Sequence, residues 1–517
     1  MKGAYMYYES YCAAIQGVDA NLISVEVDVS DGLPMFSLVG LLSSETKEAK
    51  DRVRISIRNS GYRFPTKHIT VNLAPADIRK EGTAFDLAMA VALLVAFGQI
   101  PASCLQETMF IGELGLDGAV KRVNGVLAMV YAGKKHGLKT CMVPEENMKE
   151  AALVSGIEVI GVKNLNTLVA YFVENGQLPK AETPEFTLAP GKEKYDFSDV
   201  IGQSMMKRAL EIAVAGMHNV MMIGSPGAGK TMLAKRIPSI MPALTFEESL
   251  EISKIYSIAG LLDGEGGFMQ ERPFRSPHHS ITATALVGGG SHAKPGEISL
   301  ADGGVLFLDE LPEFHGHTLE MLRQPLEEHK ITISRMHGTY TFPAKFMLVA
   351  AMNPCKCGFY PNRNKCHCSE QQVRKYLGKI SRPLLDRVDL CAEATELSFL
   401  DMSEGKKGET SAEIRARVER ARKLQAERYR EESVWYNGEL SANQVERFCG
   451  IDEDSKQLLG QVFQKYEMST RSYHRVLKVA RTIADLEGEE QIQKKHISEA
   501  ICYRGMDKKY WGANIWS

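Results

Sequence analysis

The sequence predicts an α/β protein in which a P-loop domain with a parallel sheet lies between an α+β domain and a helical lid. An apolar stretch at 219–223, a glycine-rich loop and a helix-forming stretch at 232–236 give the strand, loop and helix order of a nucleotide-binding unit. Residues 1–177 mix strand and helix patterns, whereas helical patterns dominate residues 411–517. The chain of 517 residues is long enough for roughly two to four domains.

The elements follow in order along the chain. Alternating apolar and polar residues predict strands in the first domain, and longer apolar periodicities predict helices. The predicted strands are Asn21–Val29, Phe36–Val39 and Ile69–Leu73, and the predicted helices are Glu45–Asn59, Ala84–Phe97 and Gly125–His136. Polar stretches without periodicity predict a linker at 178–196 and a hinge at 401–410, so the P-loop domain is expected at 197–400.

The glycine-rich loop is a complete P-loop. Its members are Gly224, Ser225, Pro226, Gly227, Ala228, Gly229, Lys230 and Thr231. Glycines let backbone N–H groups surround a polyphosphate, and the helix that follows adds partial positive charge. We expect Lys230 to reach the β- and γ-phosphates and the Thr231 hydroxyl to ligate Mg²⁺. The motif therefore predicts ATP and Mg²⁺ as cofactors.

Two further strands carry polar residues at their ends. The apolar stretch at 304–308 is followed by Asp309 and Glu310, and the one at 346–351 is followed by Asn353. Asp309 can hold Mg²⁺, and Glu310 can polarise the attacking water. The position of Asn353 is where AAA+ ATPases place a polar residue that orients this water. A strand that ends in carboxylates is common, and the accompanying P-loop makes the prediction specific.

Four of the ten cysteines fall within fourteen residues. They are Cys355, Cys357, Cys366 and Cys368. Two Cys-x-Cys pairs joined by a short Gly, Pro and Asn loop can present four thiolates to one metal, and Zn²⁺ favours tetrahedral sulfur ligation. The prediction is a structural Zn²⁺ in an insert at 355–368, with reduced thiols in a loop as the alternative and His367 as a competing ligand. The other six cysteines are expected to be isolated and buried.

Composition excludes several classes of protein. Hydrophobic residues make up 44% of the chain and charged residues 24%, which is typical of a globular protein. A net charge of −2 gives no overall nucleic-acid signature, so any interaction with a polyanion must be local. The apolar stretch at 87–97 is too short to span a bilayer, and the amino terminus lacks the apolar core of a signal peptide. We therefore expect a cytoplasmic protein without a membrane partner.

Several motifs together resemble the ComM/YifB family of magnesium-chelatase-like AAA+ proteins. They are Asp199–Gln203, Arg275–Ser280, Gly296–Ala301, Leu384–Asp389 and the Cys-x-Cys pairs. The resemblance covers nearly the whole chain. It implies a ring-forming ATPase, usually a hexamer, that acts as a DNA helicase in branch migration during natural transformation.

The same resemblance implies roles for single residues. Val200 and Ile201 match the adenine-pocket segment. Arg387 matches the arginine finger, which stabilises charge on a neighbour's γ-phosphate, with Arg382 as a nearby rival. Arg475 matches sensor 2, a lid arginine that contacts nucleotide. A solvated surface charge is the alternative for each arginine.

The first domain resembles the protease domain of Lon. Ala84 stands where Lon has its nucleophilic serine, and Leu127 stands where Lon has its catalytic lysine. Covalent catalysis needs a nucleophile and a base that activates it. Thr83 is adjacent, but it would need a different geometry. We therefore expect a catalytically inactive domain at 1–177 that serves in binding or assembly.

Two segments are candidates for loops that grip branched or single-stranded DNA in the pore of a ring. Residues 268–290 contain Arg272, Arg275, His278 and His279, and residues 331–342 read as a hairpin that turns near His337. Arg335, His337 and Lys345 could meet a nucleic-acid backbone. A hairpin that contacts a neighbouring subunit is an equal alternative. The competing functions are a magnesium-chelatase-type motor that remodels a protein partner and an ATP-dependent protease, which Ala84 and Leu127 oppose.

Overall fold

The computed structural model describes residues 7–184, 195–262, 267–290, 293–335, 338–395, 408–465 and 468–511. The amino-terminal part contains an eight-stranded mixed sheet in the order β10-β9-β8-β5-β1-β2-β4-β3, and β6 pairs separately with β7. The strands are β1 Tyr7–Gln16, β2 Asp19–Ser30, β3 Met35–Val39, β4 His68–Ala74, β5 Thr108–Phe110, β6 Glu113–Leu114, β7 Val120–Lys121, β8 Thr140–Pro144, β9 Glu158–Val162 and β10 Lys180–Ala181.

In the described residues, five α-helices accompany this sheet. They are α1 Ser44–Asn59, α2 Asp86–Ala96, α3 Val126–Lys135, α4 Met148–Ala151 and α5 Leu165–Val173. The interior residues of α2 are buried on all sides, which explains why its sequence is apolar throughout rather than amphipathic. The three strands and three helices predicted here are all present, with bounds that differ by a few residues.

The predicted linker at 178–196 is partly wrong. Lys180 and Ala181 pair antiparallel with Ile160 and Val159, so they form the edge strand of the amino-terminal sheet. A two-residue strand has no periodicity in sequence, because its pairing is set by a distant partner. Residues 185–194 lie outside the described residues, and Asp196 caps a short 3-10 helix at Phe197–Asp199 that begins the next part.

The central part is built on a five-stranded parallel sheet in the order β12-β15-β18-β11-β19. Two small hairpins, β13-β14 and β16-β17, lie outside it. The strands are β11 Val220–Ile223, β12 Phe274–Arg275, β13 Gly288–Gly289, β14 Lys294–Pro295, β15 Val305–Leu308, β16 Lys330–Arg335, β17 Gly338–Pro343, β18 Met347–Met352 and β19 Leu390–Glu393. Strands β11, β15 and β18 are fully buried, as their continuous apolar sequences require.

Ten helices accompany this sheet in the described residues. They are α6 Ser204–Gly216, α7 Lys230–Ala234, α8 Ile237–Ile240, α9 Phe246–Ala259, α10 Ala283–Val287, α11 Glu297–Leu300, α12 Gly316–Glu320, α13 Pro325–Glu328, α14 Glu370–Leu377 and α15 Arg382–Leu385. Helix α9 begins with a complete capping box at Thr245 and ends at the left-handed Gly260. It packs into the core of the amino-terminal part, to which it contributes Ile252, Ile255 and Tyr256.

The carboxyl-terminal part is helical, as predicted. Its helices are α16 Ser411–Arg428, α17 Ala442–Phe448, α18 Glu453–Lys465, α19 Thr470–Glu487 and α20 Lys494–Trp511. Thr410 caps α16, while residues 401–407 of the predicted hinge lie outside the described residues. Helices α16 and α19 share one core with α6 and the central sheet. The helical part is therefore packed against the P-loop domain.

Candidate nucleotide site and metal centre

The P-loop lies at the carboxyl end of β11, where parallel sheets commonly bind ligands. Gly227 and Gly229 have φ values of +78° and +84°, a conformation that L side chains rarely adopt. Gly229 caps α7, which starts at Lys230. The glycine pattern in the sequence is thus explained by a loop that must turn back before a helix.

Lys230 is held at the centre of the loop. Its Nζ donates to Gly224 O at 2.7 Å, to Ser225 O at 2.9 Å and to Asn353 Oδ1 at 3.0 Å. Burial lowers the pKa of Lys230 below its usual value, and the charge of Asp309 opposes this shift. The structure therefore brings the predicted residues Lys230 and Asn353 together.

Thr231 and Asp309 also meet as predicted. Thr231 Oγ1 donates to Asp309 Oδ2 at 2.6 Å, and the other carboxylate oxygen of Asp309 accepts the backbone N–H of Glu310 at 2.9 Å. A hydroxyl and a carboxylate are ligands that Mg²⁺ prefers, so the pair fits the metal. The Thr231 and Asp309 side chains would hold it.

Glu310 lies beside a histidine that the sequence motifs did not place near it. Its backbone has a φ of +52°, and its carboxylate Oε2 lies 3.6 Å from His279 Nδ1. The His279 ring also lies beside the tilted ring of His278, with ring centroids 4.0 Å apart. The sequence indicated His279 only as a member of a candidate pore loop. No sequence spacing relates it to Glu310, because the two are neighbours only through the pairing of β12 with β15.

The segment predicted to hold adenine is tied to the P-loop. Val200 is buried, and its carbonyl accepts a hydrogen bond from Lys207 Nζ. Gln203 Nε2 donates to Ala228 O at 3.3 Å and to Thr395 O at 2.7 Å. Gln203 thereby connects the Val200 and Ile201 segment to the loop backbone.

The two arginines lie at the opposite edge of the sheet. Arg387 is 7% exposed, forms an ion pair with Glu327 and donates to Arg323 O at 3.2 Å. Arg475 donates to Val388 O at 3.1 Å, and its Nε lies 3.5 Å from Asp389. Both arginines line one cleft.

The position of this cleft follows from strand register. Asp389 precedes β19 and accepts the N–H of Asn219, which precedes β11. The P-loop follows β11, so the cleft and the loop are separated by about five residues of strand, or about 16 Å. Within one chain, Arg475 is therefore not beside the P-loop. The rival Arg382 is exposed on α15.

The four predicted metal ligands form one cluster. Their sulfur atoms all lie within 4.8 Å of one another, and Cys355 Sγ lies 3.3 Å from Cys357 Sγ and 3.7 Å from Cys366 Sγ. Four sulfurs at about 2.3 Å from a tetrahedral zinc would be about 3.8 Å apart. The cluster therefore fits such a metal, and His367, which is exposed, is not part of it.

Hydrogen bonds favour the thiolate form of Cys357, whereas burial raises the pKa of Cys366 and of Cys368. Tyr360 N–H donates to Cys355 Sγ at 3.4 Å. Although burial raises the pKa of Cys357, hydrogen bonds from Phe359 N–H and the Cys355 thiol lower it overall to about 6. Of the six remaining cysteines, five are buried as expected. Cys502 is exposed on α20, so the expectation was wrong for this residue.

Comparisons with known proteins agree with this arrangement. Models described as magnesium chelatase subunit ChlI match residues 196–402 and 25–147, and a model of its carboxyl-terminal region matches 408–504. Competence protein ComM of Haemophilus influenzae is 43% identical over 505 residues, which cover 96% of this chain and 97% of that protein. The uncharacterized protein YifB of Escherichia coli is 43% identical over 497 residues, which cover 96% of each chain.

The chain belongs to the ComM/YifB family. Its central part is the AAA+ ATPase module of this magnesium-chelatase-like family. Lon protease 2 of Bacillus subtilis is 30% identical over 152 residues, which cover 29% of this chain and 26% of that protease. In the described ranges, no helix combines the length and the apolar composition that a membrane span requires.

In this member of the ComM/YifB family, the two positions that the sequence resemblance matches to Lon catalytic residues are buried. Ala84 is 5% exposed and Leu127 is fully buried. Thr83 Oγ1 donates to Glu113 at 2.5 Å. The backbone N–H of Leu127 donates to Glu150, and the same carboxylate oxygen accepts Ser257 Oγ from α9. Helix α9 of the ATPase module thus packs beside Leu127.

The candidate DNA loops are only partly available. Arg272 pairs with Glu248 at 2.9 Å and donates to three backbone carbonyls, and Arg275 pairs with Glu297 at 2.6 Å, so both arginines have partners within the chain. Lys345 lines the cleft of Arg387 rather than the hairpin tip. The residues that these three side chains contact or lie beside are distant from them in the sequence.

The predicted hairpin is present as β16-β17, with Arg335 opposite Gly338 and its tip, including His337, outside the described residues. Arg335 is exposed and approaches the other candidate loop, at residues 268–290. A Cβ added to Gly289 would lie 2.9 Å from Arg335 Nη2. The two candidate loops therefore converge at Arg335.

Proposed function

We propose that this protein is a ring-forming ATPase that hydrolyses ATP between subunits and moves along branched or single-stranded DNA, in a hexameric assembly. The observation that carries the proposal is the position of Arg387 and Arg475 at the sheet edge opposite the P-loop. Residues on opposite edges of one subunit meet when subunits assemble head to tail, and a head-to-tail interface that closes gives a ring. One neighbour would then complete each site.

Within each nucleotide site, each residue would have a separate chemical role. Lys230 Nζ, which now donates to the carbonyls of Gly224 and Ser225, would donate to the β- and γ-phosphates instead. Glu310 would accept the proton of the attacking water, and Asn353 would orient that water. Bound Mg²⁺ would neutralise phosphate charge. Arg387 of the neighbour would stabilise charge on the γ-phosphate in the transition state.

The DNA part of the proposal rests on Arg335 and on the relative named competence protein ComM. The two converging loops place an exposed guanidinium where a phosphate backbone could be gripped, and in a ring this position would be repeated in every subunit. Because it fits the name of that relative, we propose a helicase role in branch migration during natural transformation, in the cytoplasm.

A second candidate function is a magnesium-chelatase-type motor that remodels a protein partner. The matching models described by the name of that enzyme's subunit favour it. ATPase rates of the full chain with and without branched DNA distinguish the two. Stimulation by DNA supports the helicase, whereas indifference to DNA together with activation by a protein partner supports the chelatase-type motor.

Substitution of Arg335 sharpens this test. Arg335→Ala should lower DNA affinity and reduce the slope of log K against log salt by about one for each phosphate that is no longer neutralised. Arg430→Ala, which removes another exposed arginine, on the helical part, is the matched control. Equal DNA affinity and salt slope for both variants would contradict the assignment of Arg335.

We also propose one Zn²⁺ per chain, held by Cys355, Cys357, Cys366 and Cys368 as a closed structural site. The support is the cluster geometry and the preference of zinc for four thiolates. Elemental analysis of the purified protein should find about one equivalent. A metal content below about a tenth of an equivalent, with all four thiols open to titration, would contradict it.

A further inference from the structure

The cysteine cluster follows the nucleotide site directly in the chain. Strand β18 ends at Met352, the side-chain oxygen of Asn353 accepts a hydrogen bond from Lys230, and Cys355 comes two residues later. Cys355 is fully buried. Asn353 is thus held between a rigid strand on one side and a metal ligand on the other.

The cluster also touches the P-loop itself. Gly358 lies between the two cysteine pairs, with a φ of +88°. A Cβ added to Gly358 would lie 2.3 Å from Cδ of Pro226 and 2.7 Å from its Cγ. Pro226 follows Ser225, whose carbonyl accepts Lys230 Nζ. The loop that carries the cysteines therefore supports the P-loop at van der Waals distance.

Turns, the four thiols and the packing of Tyr360 near Tyr510 give this loop its shape. Residues 353–369, all described, contain no helix and no strand. The backbone hydrogen bonds within it are turns, such as Gly358 N–H to Cys355 O at 3.0 Å and Cys366 N–H to Asn362 O at 2.8 Å. Small loops without a core of their own commonly depend on a metal or a disulfide. The metal would hold this loop in its conformation.

We propose that the metal held by the four cysteines is a positioning element of the ATPase site, which fixes Asn353 and the Pro226 end of the P-loop. The inference rests on the proposed ATPase function and on the proposed metal site. No cysteine contacts nucleotide in this scheme. Turnover depends on the metal only through the placement of Asn353 and of the P-loop backbone.

The size of the effect follows from the geometry of catalysis. A misplacement of about 1 Å at a catalytic group can cost about 10²-fold in rate. Loss of the metal should therefore lower kcat about 10²-fold. Nucleotide Kd should rise less, by about tenfold at most, since α7 and most backbone N–H groups of the P-loop are not held by the cysteine loop.

The first experiment removes the metal from the full chain. A chelator is applied, and metal content, circular dichroism, assembly state, Kd for a fluorescent ATP analogue and kcat are measured before and after Zn²⁺ is returned. We expect kcat to fall and to recover with Zn²⁺. Cys366→Ser should give the low kcat without recovery, whereas Cys502→Ser, which removes an exposed thiol elsewhere, should behave as wild type.

The second experiment keeps the metal and disturbs the packing of the cysteine loop on the P-loop. Gly358→Ala should retain the metal but weaken nucleotide binding by about tenfold, because the new methyl group displaces Pro226. Gly61→Ala is the matched control. Its φ is +87° and nothing lies within 4 Å of an added Cβ, so it introduces the same backbone strain without a clash.

Each outcome supports or overturns the proposal. Full kcat in folded, metal-free protein overturns it, and so does a Gly358→Ala protein that matches Gly61→Ala in Kd and kcat. If the metal-free protein unfolds, the Gly358→Ala comparison decides alone. A metal-loaded wild-type chain that neither binds nor hydrolyses ATP would instead refute the proposed function, while a folded wild-type chain with an intact site and no metal would refute the metal site only.

Discussion

Replacing Arg387 tests whether ATP is hydrolysed between subunits. In the single chain the guanidinium pairs with Glu327, whose side chain is 52% exposed, and it donates to the carbonyls of Arg323 and Pro383. A half-exposed ion pair is worth about 1 kcal/mol or less, and removal of the hydrogen bonds costs about 1–2 kcal/mol. Against a typical stability of about 5–15 kcal/mol, Arg387→Ala should stay folded.

The catalytic effect should be much larger than the structural one. A donor that stabilises developing phosphate charge contributes about 10²-fold or more, so hydrolysis should fall by at least that factor. Nucleotide binding by the isolated chain should stay nearly intact, because Lys230 and the P-loop are about 16 Å away along β11. Arg382→Ala, which removes an exposed arginine five residues away, is the matched control.

Mixing variants separates a role in the neighbour from a role in the same chain. Lys230→Ala has an intact Arg387 and a defective P-loop, whereas Arg387→Ala has the reverse. In a mixed ring, some interfaces combine the two intact elements, so the mixture should hydrolyse ATP faster than either parent. Mixtures with confirmed co-assembly and no activity above either parent would refute the reasoning and favour Arg382 or a monomeric ATPase.

Three further predictions follow from the described interactions. Lys230→Ala should abolish nucleotide binding or hydrolysis. Glu310→Gln should bind ATP, trap assembled rings and turn over about 10²–10⁴-fold more slowly than wild type. Near-normal turnover of the Glu310→Gln protein would contradict the role assigned to Glu310. Wild-type chain should show no ATP-dependent cleavage of casein, and Ala84→Ser with Leu127→Lys should not restore it, because Leu127 is fully buried beneath α9. Burial raises the pKa of Asp302 to about 7, so between about pH 4 and 7 the folded state keeps a proton that the unfolded state releases. The free energy of unfolding therefore falls as pH rises through this window. Denaturant titrations at about pH 5 and pH 8 should show a smaller fall for Asp302→Asn than for wild type.

Local motifs explain why much of the site could be predicted. The P-loop, Asp309, Glu310 and Asn353 each follow a buried strand, and parallel strands bring their carboxyl ends to one edge. The clustering of the four cysteines was also predictable, since their thiols lie within one short loop. In each case the position of a residue relative to a strand or to a neighbouring cysteine is visible in the sequence, so its place in the site could be predicted.

The features that the sequence did not predict involve interactions between distant segments. Arg272 pairs with Glu248 and Arg275 with Glu297, and neither pairing follows a short sequence spacing. The edge strand at Lys180 and Ala181 likewise depends on its pairing with β9. A basic residue in a suggestive loop is therefore weak evidence for nucleic-acid binding until its carboxylate partners are known.

Helix α9 joins the amino-terminal part to the ATPase module beside Leu127. A lysine at position 127 would place a charge in a fully buried position beside α9, where it would need a paired partner. Leucine instead joins the core that Ile252 and Ile255 of α9 complete, while Glu150 links the backbone of Leu127 to Ser257. Helix α9 lies between the P-loop and β12 in the chain. The Lon-like part and the ATPase module are thus packed together at the position that the sequence resemblance matches to the Lon lysine.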